Sequence, residues 1–312
     1  MQMSLFDGTK PFKIDKPIRL IELFAGIGSQ AKALKNLGAN FEHYRICEFD
    51  KYAVASYNAI HGTNFETSDI TKLKADDLGI TDTDKYCYIM TYSFPCQDLS
   101  LAGKGAGMSK GSDTRSGLLW EVERLLTECN GKLPQVLLME NVPEVHGTKN
   151  IKDFAKWIAF LDGLGYKSKW QDLNAKDYGI PQNRNRCFMV SILGDFFYDF
   201  PKPMKLELCL KDMLETDVDE KYYLSDETVR TLNIHKQRHE AQGHGFGWKT
   251  TEGGGTHTPL KPKVGTARTA TLLLSEQGKK VDKHTEVANT IMARDYKGFG
   301  NQAMNGVLEW KE

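Results

Sequence analysis

The feature that most constrains the fold of this chain is an alternation of short apolar runs with amphipathic stretches, which extends from Ile18 to about Ile192. The apolar runs are IRLIELF, YRICEF, YCYIMTYSF, PQVLLME and RCFMVSIL. The stretches between them have helical periodicity and include SQAKALKNLG, KYAVASYNAIHG, SGLLWEVERLLTECNG and IKDFAKWIAFLDGLG. Alternating strands and helices are typical of β-α units in a parallel sheet. The sequence therefore predicts an α/β protein with a doubly wound sheet.

The charge pattern changes in the remaining third of the chain. Overall, 41 Lys and Arg residues balance 41 Asp and Glu residues, so no net charge draws the protein toward a polyanion. Residues 205–227 carry three Lys against eight acids, whereas residues 228–305 carry 12 Lys or Arg against six acids and are locally +6. The basic segment has no sustained helical period and contains the triplet Gly253-Gly254-Gly255. It predicts a small, irregular β-rich domain.

Length and composition limit the class of protein. The 312 residues allow one large or two unequal domains, and we expect an N-terminal extension over 1–17, an α/β domain over 18–202 and a second domain over 203–312. The six cysteines form no CxxC pair and have no clustered His partners, so neither a zinc site nor a disulfide framework is predicted. No run approaches the roughly 18 apolar residues of a membrane span, and the N-terminus lacks the apolar core of a signal peptide. These features predict a reduced, cytoplasmic protein without a metal.

A glycine loop follows the first predicted strand. Gly26, Gly28 and Ala31 form a GxGxxA pattern, which lets the backbone approach a ligand and offers the N–H groups of a helix N-terminus to an anion. Glu48 ends the next apolar run and is placed to accept hydrogen bonds from ribose hydroxyls. Asp69, after another candidate strand, could reach an adenine amino group or cap the following turn. The spacing leaves a dinucleotide and another nucleoside cofactor both open.

A candidate nucleophile follows a third apolar run. Cys96 lies behind Pro95 and beside polar residues, so we expect its thiol on a stiff turn at the carboxyl end of a strand, where ligands bind in open α/β sheets. Most free cysteines are simply buried apolar residues. That interpretation fits Cys47, Cys87 and Cys187, which lie inside apolar runs.

Two further groups lie near predicted strands. Glu140 ends an almost wholly apolar strand, and partial desolvation there would favour a carboxyl group able to donate to a ring nitrogen. Arg184 and Arg186 precede the last predicted strand at a spacing of two, which places both on one face of an extended segment. They could hold a substrate carbonyl, lower the pKa of a thiol or contact phosphate, or form a solvated edge.

Taken in order, these segments resemble the cytosine-C5 DNA methyltransferase family of prokaryotic or phage type. LFAGIGSQ is similar to its methyl-donor loop, FPCQDLS to its nucleophile motif, ENV to its acid motif and NAKDYGIPQNRNRCF to its arginine motif. Lesser matches are CEFDKY, SDIT and TRSGLLWE. The resemblance covers about residues 18–192, and the ordered set is much more specific than any one motif.

The resemblance implies a Rossmann-like methyltransferase domain that uses S-adenosylmethionine and releases S-adenosylhomocysteine. It implies a methionine-portion site at Phe24, Gly26 and Gly28, a ribose site at Glu48, an adenine site at Asp69 and Ile70, and a further cofactor contact at Leu118. It assigns Cys96 as nucleophile, Glu140 as the acid at cytosine N3, and Arg184 and Arg186 as supporting groups. The basic segment would then belong to a target-recognition domain for double-stranded DNA, in the cytoplasm of a bacterial cell or a phage-infected host.

The resemblance is weakest toward the C-terminus. ARTATLLLSEQ is a poor match to the family's next motif, and Gly300 with Asn301 only faintly matches its closing one. We therefore expect weak or partner-dependent activity, with a second polypeptide supplying the missing elements. A tRNA cytosine methyltransferase, a non-catalytic DNA-binding relative and an NAD-dependent oxidoreductase remain as alternatives at this point, as does association with a cognate restriction endonuclease.

Overall fold

A computed structural model of the chain describes residues 9–99, 107–112, 114–213, 225–241, 247–251, 269–275, 288–289 and 306–309. The chain forms two compact units. The first contains residues 1–173 and 186–201, and the second contains residues 174–185 and 202–312. Residues 174–185, which we expected within the α/β domain, thus pack with the second unit.

The predicted helices and strands form between residues 9 and 201. The strands are β1 (Lys10–Pro11), β2 (Ile18–Leu23), β3 (Phe41–Cys47), β4 (Cys87–Tyr92), β5 (Val136–Asn141), β6 (Tyr166–Asn174), β7 (Gln182–Asn183), β8 (Asn185–Leu193) and β9 (Phe196–Phe197). The helices are α1 (Ser29–Asn36), α2 (Lys51–His61), α3 (Leu119–Glu128) and α4 (Ile151–Gly163). β1 and β9 form a short parallel pair of their own.

The central sheet has six strands in the order β3-β2-β4-β5-β8-β6. β2 pairs in parallel with β3 and β4, and β4 pairs in parallel with β5, whereas β8 runs antiparallel to β5. The chain moves outward from β2 to β3 and then returns to the other side of β2 at β4. The strand order therefore reverses between β2 and β4, and the carboxyl ends of these strands are where such folds bind ligands. The doubly wound prediction is confirmed.

Both faces of the sheet are covered, as its apolar strands require. On one face, Ile21 of β2 belongs to a buried cluster with Val122 of α3 and Trp157 of α4. On the other face, Leu20 belongs to a second cluster with Tyr57 of α2. Fully burying one such large apolar side chain contributes about 1.5–3 kcal/mol, so these two layers fix the strands that carry the candidate site.

Two details of the sheet differ from the sequence prediction. β6 was not predicted, because Lys167 and Lys169 interrupt its apolar pattern; it is held to β8 in part by a buried 2.8 Å hydrogen bond between Ser168 and Ser191. The strand expected before Asp69 does not form. There the Asn58 side chain accepts from the Phe65 N–H and donates to the Phe65 carbonyl, each at 2.9 Å, and so takes the place of a neighbouring strand.

The described part of the second unit is only partly β-structure. It contains α5 (Asp226–Ala241), β10 (Gly247–Thr251), β11 (Thr269–Ser275), β12 (Ala288–Asn289) and β13 (Gly306–Glu309). β10, β11 and β13 form a parallel three-stranded sheet, and β12 pairs with β7. The predicted lack of helix was wrong for α5.

The reason for this error is that α5 is polar on nearly every side. Residues such as Arg230, Gln237 and Arg238 are exposed, and even Ile234 is 43% exposed. A helix without an apolar stripe is not revealed by hydrophobic periodicity, although its residues have good helix propensity. Gly253-Gly254-Gly255, Gly300 and Asn301 lie outside the described residues. Within the described part of the chain, no helix combines the length and apolarity needed to cross a bilayer.

Candidate active site

The loop after β2 has the backbone that a close ligand contact requires. Phe24, Gly26 and Gly28 all have positive φ, at 58°, 55° and 80°. Gly28 cannot be replaced without displacement, since an added Cβ would lie 2.6 Å from Tyr57 Cε2 and closer still to His61. Phe24 has no glycine-like freedom, and a non-glycine residue in this region costs about 1–3 kcal/mol and is typical of functional sites.

Glu48 closes one side of this loop. Its Oε2 accepts a hydrogen bond from the Gly26 N–H at 2.9 Å, and its Oε1 accepts one from the Asp50 N–H, also at 2.9 Å. Asp50 in turn caps α2 by accepting from the Tyr52 N–H at 2.7 Å. Phe49, next in sequence, is 80% exposed. Sequence reasoning did not single out Phe49, although an aromatic residue after the acid could have suggested a stacking surface.

A buried acid lies beneath the same loop. Glu22 is 0% exposed, and it accepts from the Tyr57 hydroxyl at 2.5 Å and from the Ala31 N–H of α1 at 3.2 Å. Burial raises the pKa of Glu22 above its ordinary value. The Ala31 N–H, which we expected to be open to an anion, is therefore already bonded to Glu22.

Asp69 and its neighbours lie beside Glu48. The Ser68 N–H donates to the Glu48 carbonyl at 2.8 Å, and Asp69 Oδ1 accepts from the Thr71 hydroxyl and N–H at 2.8 and 3.0 Å. These bonds to Thr71 lower the pKa of Asp69. Ile70 is buried in the core. The Ser68 hydroxyl oxygen is buried beside this segment.

The turn that carries Cys96 is held by two other parts of the chain. Asn141, the last residue of β5, donates from Nδ2 to the Phe94 carbonyl at 3.0 Å in a buried hydrogen bond. Ser116, in the 3-10 turn before α3, donates to the Pro95 carbonyl at 2.6 Å. Both carbonyls immediately before Cys96 are therefore fixed. Sequence reasoning missed Asn141 and Ser116 as anchors, although both belong to the motifs that carry the resemblance.

Cys96 differs in environment from most other cysteines. It is partly exposed, whereas four others are buried: Cys47, Cys87, Cys129 and Cys187. Burial raises the pKa of Cys47, Cys87 and Cys129 to about 11, which makes these thiols unreactive near neutral pH. The apolar interpretation of Cys47 and Cys87 agrees with this burial. Burial also raises the pKa of the Cys187 thiol, and the nearby carboxylates of Asp172 and Glu140 raise it further.

Glu140 ends β5 next to Asn141 and is paired with Arg186. Arg186 Nε lies 3.1 Å from Glu140 Oε1, and the two side chains are only 16% and 17% exposed. A guanidinium in this position fixes the orientation of the carboxyl group. Arg184 belongs to the second unit, where its backbone N–H donates to Asn174 Oδ1 at 3.0 Å. Leu118 lies at the start of α3 and packs against the core.

The reversing sheet, the glycine loop after β2 and the cysteine turn after β4 define the class of this protein, a Rossmann-like methyltransferase. The fold is similar to that of Dnmt2 methyltransferase from S. pombe, with a TM-score of 0.55 and 23% identity over 75% of this chain and 68% of the other. The family model for C-5 cytosine-specific DNA methylase matches residues 18–304. The chain belongs to this family and is a DNA (cytosine-5-)-methyltransferase.

Curated relatives agree with this membership. The chain is 34% identical to type II methyltransferase M2.ScrFI from Lactococcus lactis subsp. cremoris, over 68% of this chain and 71% of the relative. It is 36% identical to orphan methyltransferase M.SssI from Spiroplasma monobiae, over 68% of each chain. Membership in the family implies S-adenosylmethionine as methyl donor and DNA as substrate, and it decides against the NAD-dependent oxidoreductase.

Proposed function

We propose that this enzyme methylates C5 of a cytosine flipped out of double-stranded DNA, and that Cys96 bonds to cytosine C6 during the reaction. The observation that supports this most directly is the buried hydrogen bond from Asn141 to the Phe94 carbonyl, at 3.0 Å. It joins the end of the strand that carries Glu140 to the turn that carries Cys96. A nucleophile and an acid on two tied segments can act on the same ring.

Cys96 performs the nucleophilic step in this proposal. Cytosine C5 is a poor nucleophile, and addition of the Cys96 thiolate to C6 breaks the aromaticity of the ring and makes C5 electron-rich. When bound, S-adenosylmethionine supplies the methyl group on a positively charged sulfur. After methylation, loss of the C5 proton allows the C6–sulfur bond to break and restores both the ring and the thiolate. The base must leave the helical stack to reach Cys96.

Glu140 and the arginines assist this addition. Glu140 hydrogen bonds to or protonates N3, which stabilises the electron density that addition moves into the ring. Arg186 holds the Glu140 side chain at 3.1 Å and so sets its direction. We assign Arg184 to support the substrate, on the basis of the arginine motif alone.

The residues around the glycine loop fit the methyl donor. The positive φ angles at Phe24, Gly26 and Gly28 let the backbone line the methionine portion, and Leu118 adds an apolar contact. Glu48 would give up one of the hydrogen bonds that it accepts from backbone N–H groups and accept hydrogen bonds from the ribose hydroxyls instead. Asp69 Oδ2, Ile70 and the exposed ring of Phe49 would hold the adenine by hydrogen bonding and stacking.

Residues 203–312 would recognise the DNA target in this proposal, with residues 18–202 as catalytic domain and 1–17 as an extension. The exposed residues Arg230 and Arg238 of α5 would contact phosphates, which positions the duplex without reading its sequence. The weak match of ARTATLLLSEQ suggests that a second polypeptide completes recognition, so the purified chain alone should methylate slowly. Rapid methylation by the purified chain would contradict this partner. We also propose a cytoplasmic location, and a cognate restriction endonuclease as a further partner.

The proposed chemistry is tested by covalent trapping. A mixed-sequence duplex containing 5-fluorocytosine, incubated with S-adenosylmethionine, should capture the chain irreversibly because fluorine cannot leave C5 as the proton does. Because capture is irreversible, the covalent complex accumulates even if the enzyme is slow. Cys96→Ala should form no complex, whereas Cys209→Ala, at another partly exposed cysteine, should form it normally. A complex with Cys96→Ala would remove Cys96 from the mechanism, and methylation of tRNA in place of duplex DNA would favour the tRNA enzyme.

A further inference from the structure

A second group of reactive side chains, which does not include Cys96, lies beside Glu140 at the carboxyl end of β5. His146 ends the 3-10 turn Pro143–His146 that follows β5, Asp172 lies on β6, and Cys187 lies on β8. The potential ligand atoms of these three residues all lie within 4.8 Å of one another. The group is brought together by the sheet, since Cys187 is paired with Asn141, the last residue of β5.

The exposure of the three side chains decreases from the surface toward the core. Cys187 is fully buried, whereas the side chains of His146 and Asp172 are 29% and 34% exposed. His146 Nε2 lies 2.9 Å from Asp172 Oδ1, and the Cys187 sulfur lies within 4.8 Å of the ligand atoms of both residues. A small ion arriving from solvent would therefore meet the imidazole and carboxylate first and the sulfur beneath them.

The donor set is one that zinc-like cations prefer. Zinc binds cysteine sulfur at about 2.3 Å, and histidine nitrogen and carboxylate oxygen at about 2.0–2.2 Å. A tetrahedral ion with these bond lengths holds its donors about 3.3–3.8 Å apart. The 4.8 Å limit on the present separations means that shifts of about 1 Å suffice to bring the three donors to those distances.

We propose that His146, Asp172 and Cys187 bind a divalent cation of the zinc class, with water in the fourth position. On binding, the Cys187 S–H bond breaks, its proton goes to solvent and a sulfur–metal bond forms. His146 offers the lone pair of Nε2 and carries its proton on Nδ1. The sequence analysis predicted no metal site. That prediction used the spacing of Cys and His along the sequence, which does not reveal ligands contributed by three separate elements.

The alternative is a hydrogen-bonded triad that only joins β6, β8 and the turn after β5. Two features favour a metal over that alternative. A thiol is a weak hydrogen-bond donor, so a purely structural network gains little from sulfur at position 187. The three donors are also of three different types, and this mixture matches the ligands of a single borderline-soft cation.

The test uses the full chain, stripped of metal with a chelator and titrated with Co²⁺ as probe in the absence of DNA and methyl donor. We expect a sulfur-to-cobalt charge-transfer band that saturates at one equivalent, and a rise in melting temperature when Zn²⁺ is added. Cys187→Val should abolish the band. Cys129→Val, at a buried cysteine away from the site, should retain it.

Asp172→Asn provides the sharper variant if Cys187→Val folds poorly. Its amide oxygen can still accept hydrogen bonds, but it binds cations more weakly. We expect its affinity for Co²⁺ to fall by about 10-fold or more, since even residues outside the ligand shell are worth that much. No band in the wild-type chain, or an equal band in both variants, would leave only the hydrogen-bonded triad. Neither result bears on methylation, which is measured separately.

Discussion

At the scale of single residues, the proposed site combines a partly exposed thiol with a carboxyl group that is held in place. Asn141 and Ser116 hold the two backbone carbonyls that precede Cys96, and Arg186 holds the side chain of Glu140. Rigid support of this kind keeps reacting groups near the geometry that the reaction needs. The reactivity proposed for Cys96 therefore depends on neighbours as well as on the thiol itself.

Replacing the acid tests this arrangement. Glu140→Gln keeps the shape of the side chain but cannot transfer a proton, so we expect the methylation rate constant to fall by about 10²–10⁴-fold. The measurement is single-turnover transfer of labelled methyl groups to duplex DNA. Glu144→Gln, at an acid in the following turn with no proposed role, should leave the rate unchanged. A rate for Glu140→Gln equal to that of the wild-type chain would exclude proton transfer from Glu140 to N3.

The sequence singled out the residues proposed to carry the chemistry, but not the residues that anchor them. Cys96 and Glu140 stand out because polar residues at the ends of apolar strands are unusual, whereas Asn141 and Ser116 act through contacts distant in sequence. The group at His146, Asp172 and Cys187 was invisible for the same reason. The spacing of residues along the sequence does not predict which strands become neighbours in the sheet.

At the scale of helices and strands, the glycine loop is supported by an ionisable group in the core. Glu22 of β2 bonds to both α1 and α2 through Ala31 and Tyr57. Because burial raises the pKa of Glu22 in the folded chain, the folded state holds this proton more tightly than the unfolded state. The stability that this provides is complete below the ordinary value of 4.5 and declines as the pH rises toward the raised value.

Removing this charge should flatten the dependence of stability on pH. For Glu22→Gln, we expect the free energy of unfolding to fall less between pH 5 and pH 8 than it does for the wild-type chain. Urea denaturation at several pH values measures it. Glu66→Gln, at an exposed acid, should follow the wild-type curve. If the free energy of unfolding changed with pH in the same way for Glu22→Gln and for the wild-type chain, burial would not raise the pKa of Glu22.

Element prediction succeeded where the apolar pattern was strong and failed where it was weak. All four helices and five of the six strands predicted from the first 192 residues form, because burial on one or both sheet faces leaves a clear period. The polar strand β6 and the polar helix α5 carry no such period. Asp69 lacks its expected strand because the Asn58 side chain satisfies the backbone of Phe65 instead.

At the scale of the whole molecule, the net charge of zero includes an acidic segment and a basic segment that nearly cancel. The acidic residues 205–227 offset most of the +6 carried by residues 228–305, and the exposed arginines of α5 lie in the basic segment. Electrostatic contact with phosphates releases counterions, so it is read from the salt dependence of binding rather than from a single affinity.

Two of these arginines give a direct test. Arg230→Ala and Arg238→Ala should each reduce the slope of log affinity against log salt by about 1, if each contacts one phosphate. Fluorescence anisotropy with a labelled duplex at several salt concentrations provides the slope. Lys152→Ala, at an exposed lysine of α4, serves as control and should leave it unchanged. Unaltered slopes for both arginine variants would place the DNA contact elsewhere.

The central claim is that this chain methylates cytosine C5 in DNA through Cys96. Its most direct test is bisulfite sequencing of DNA from methylation-deficient cells that express the chain, with and without any neighbouring open reading frame. We predict protected cytosines in one recurring sequence context with the wild-type chain and none with Cys96→Ala expressed at the same level. The same protected cytosines in cells that express Cys96→Ala, or none with the folded wild-type chain, would contradict the claim.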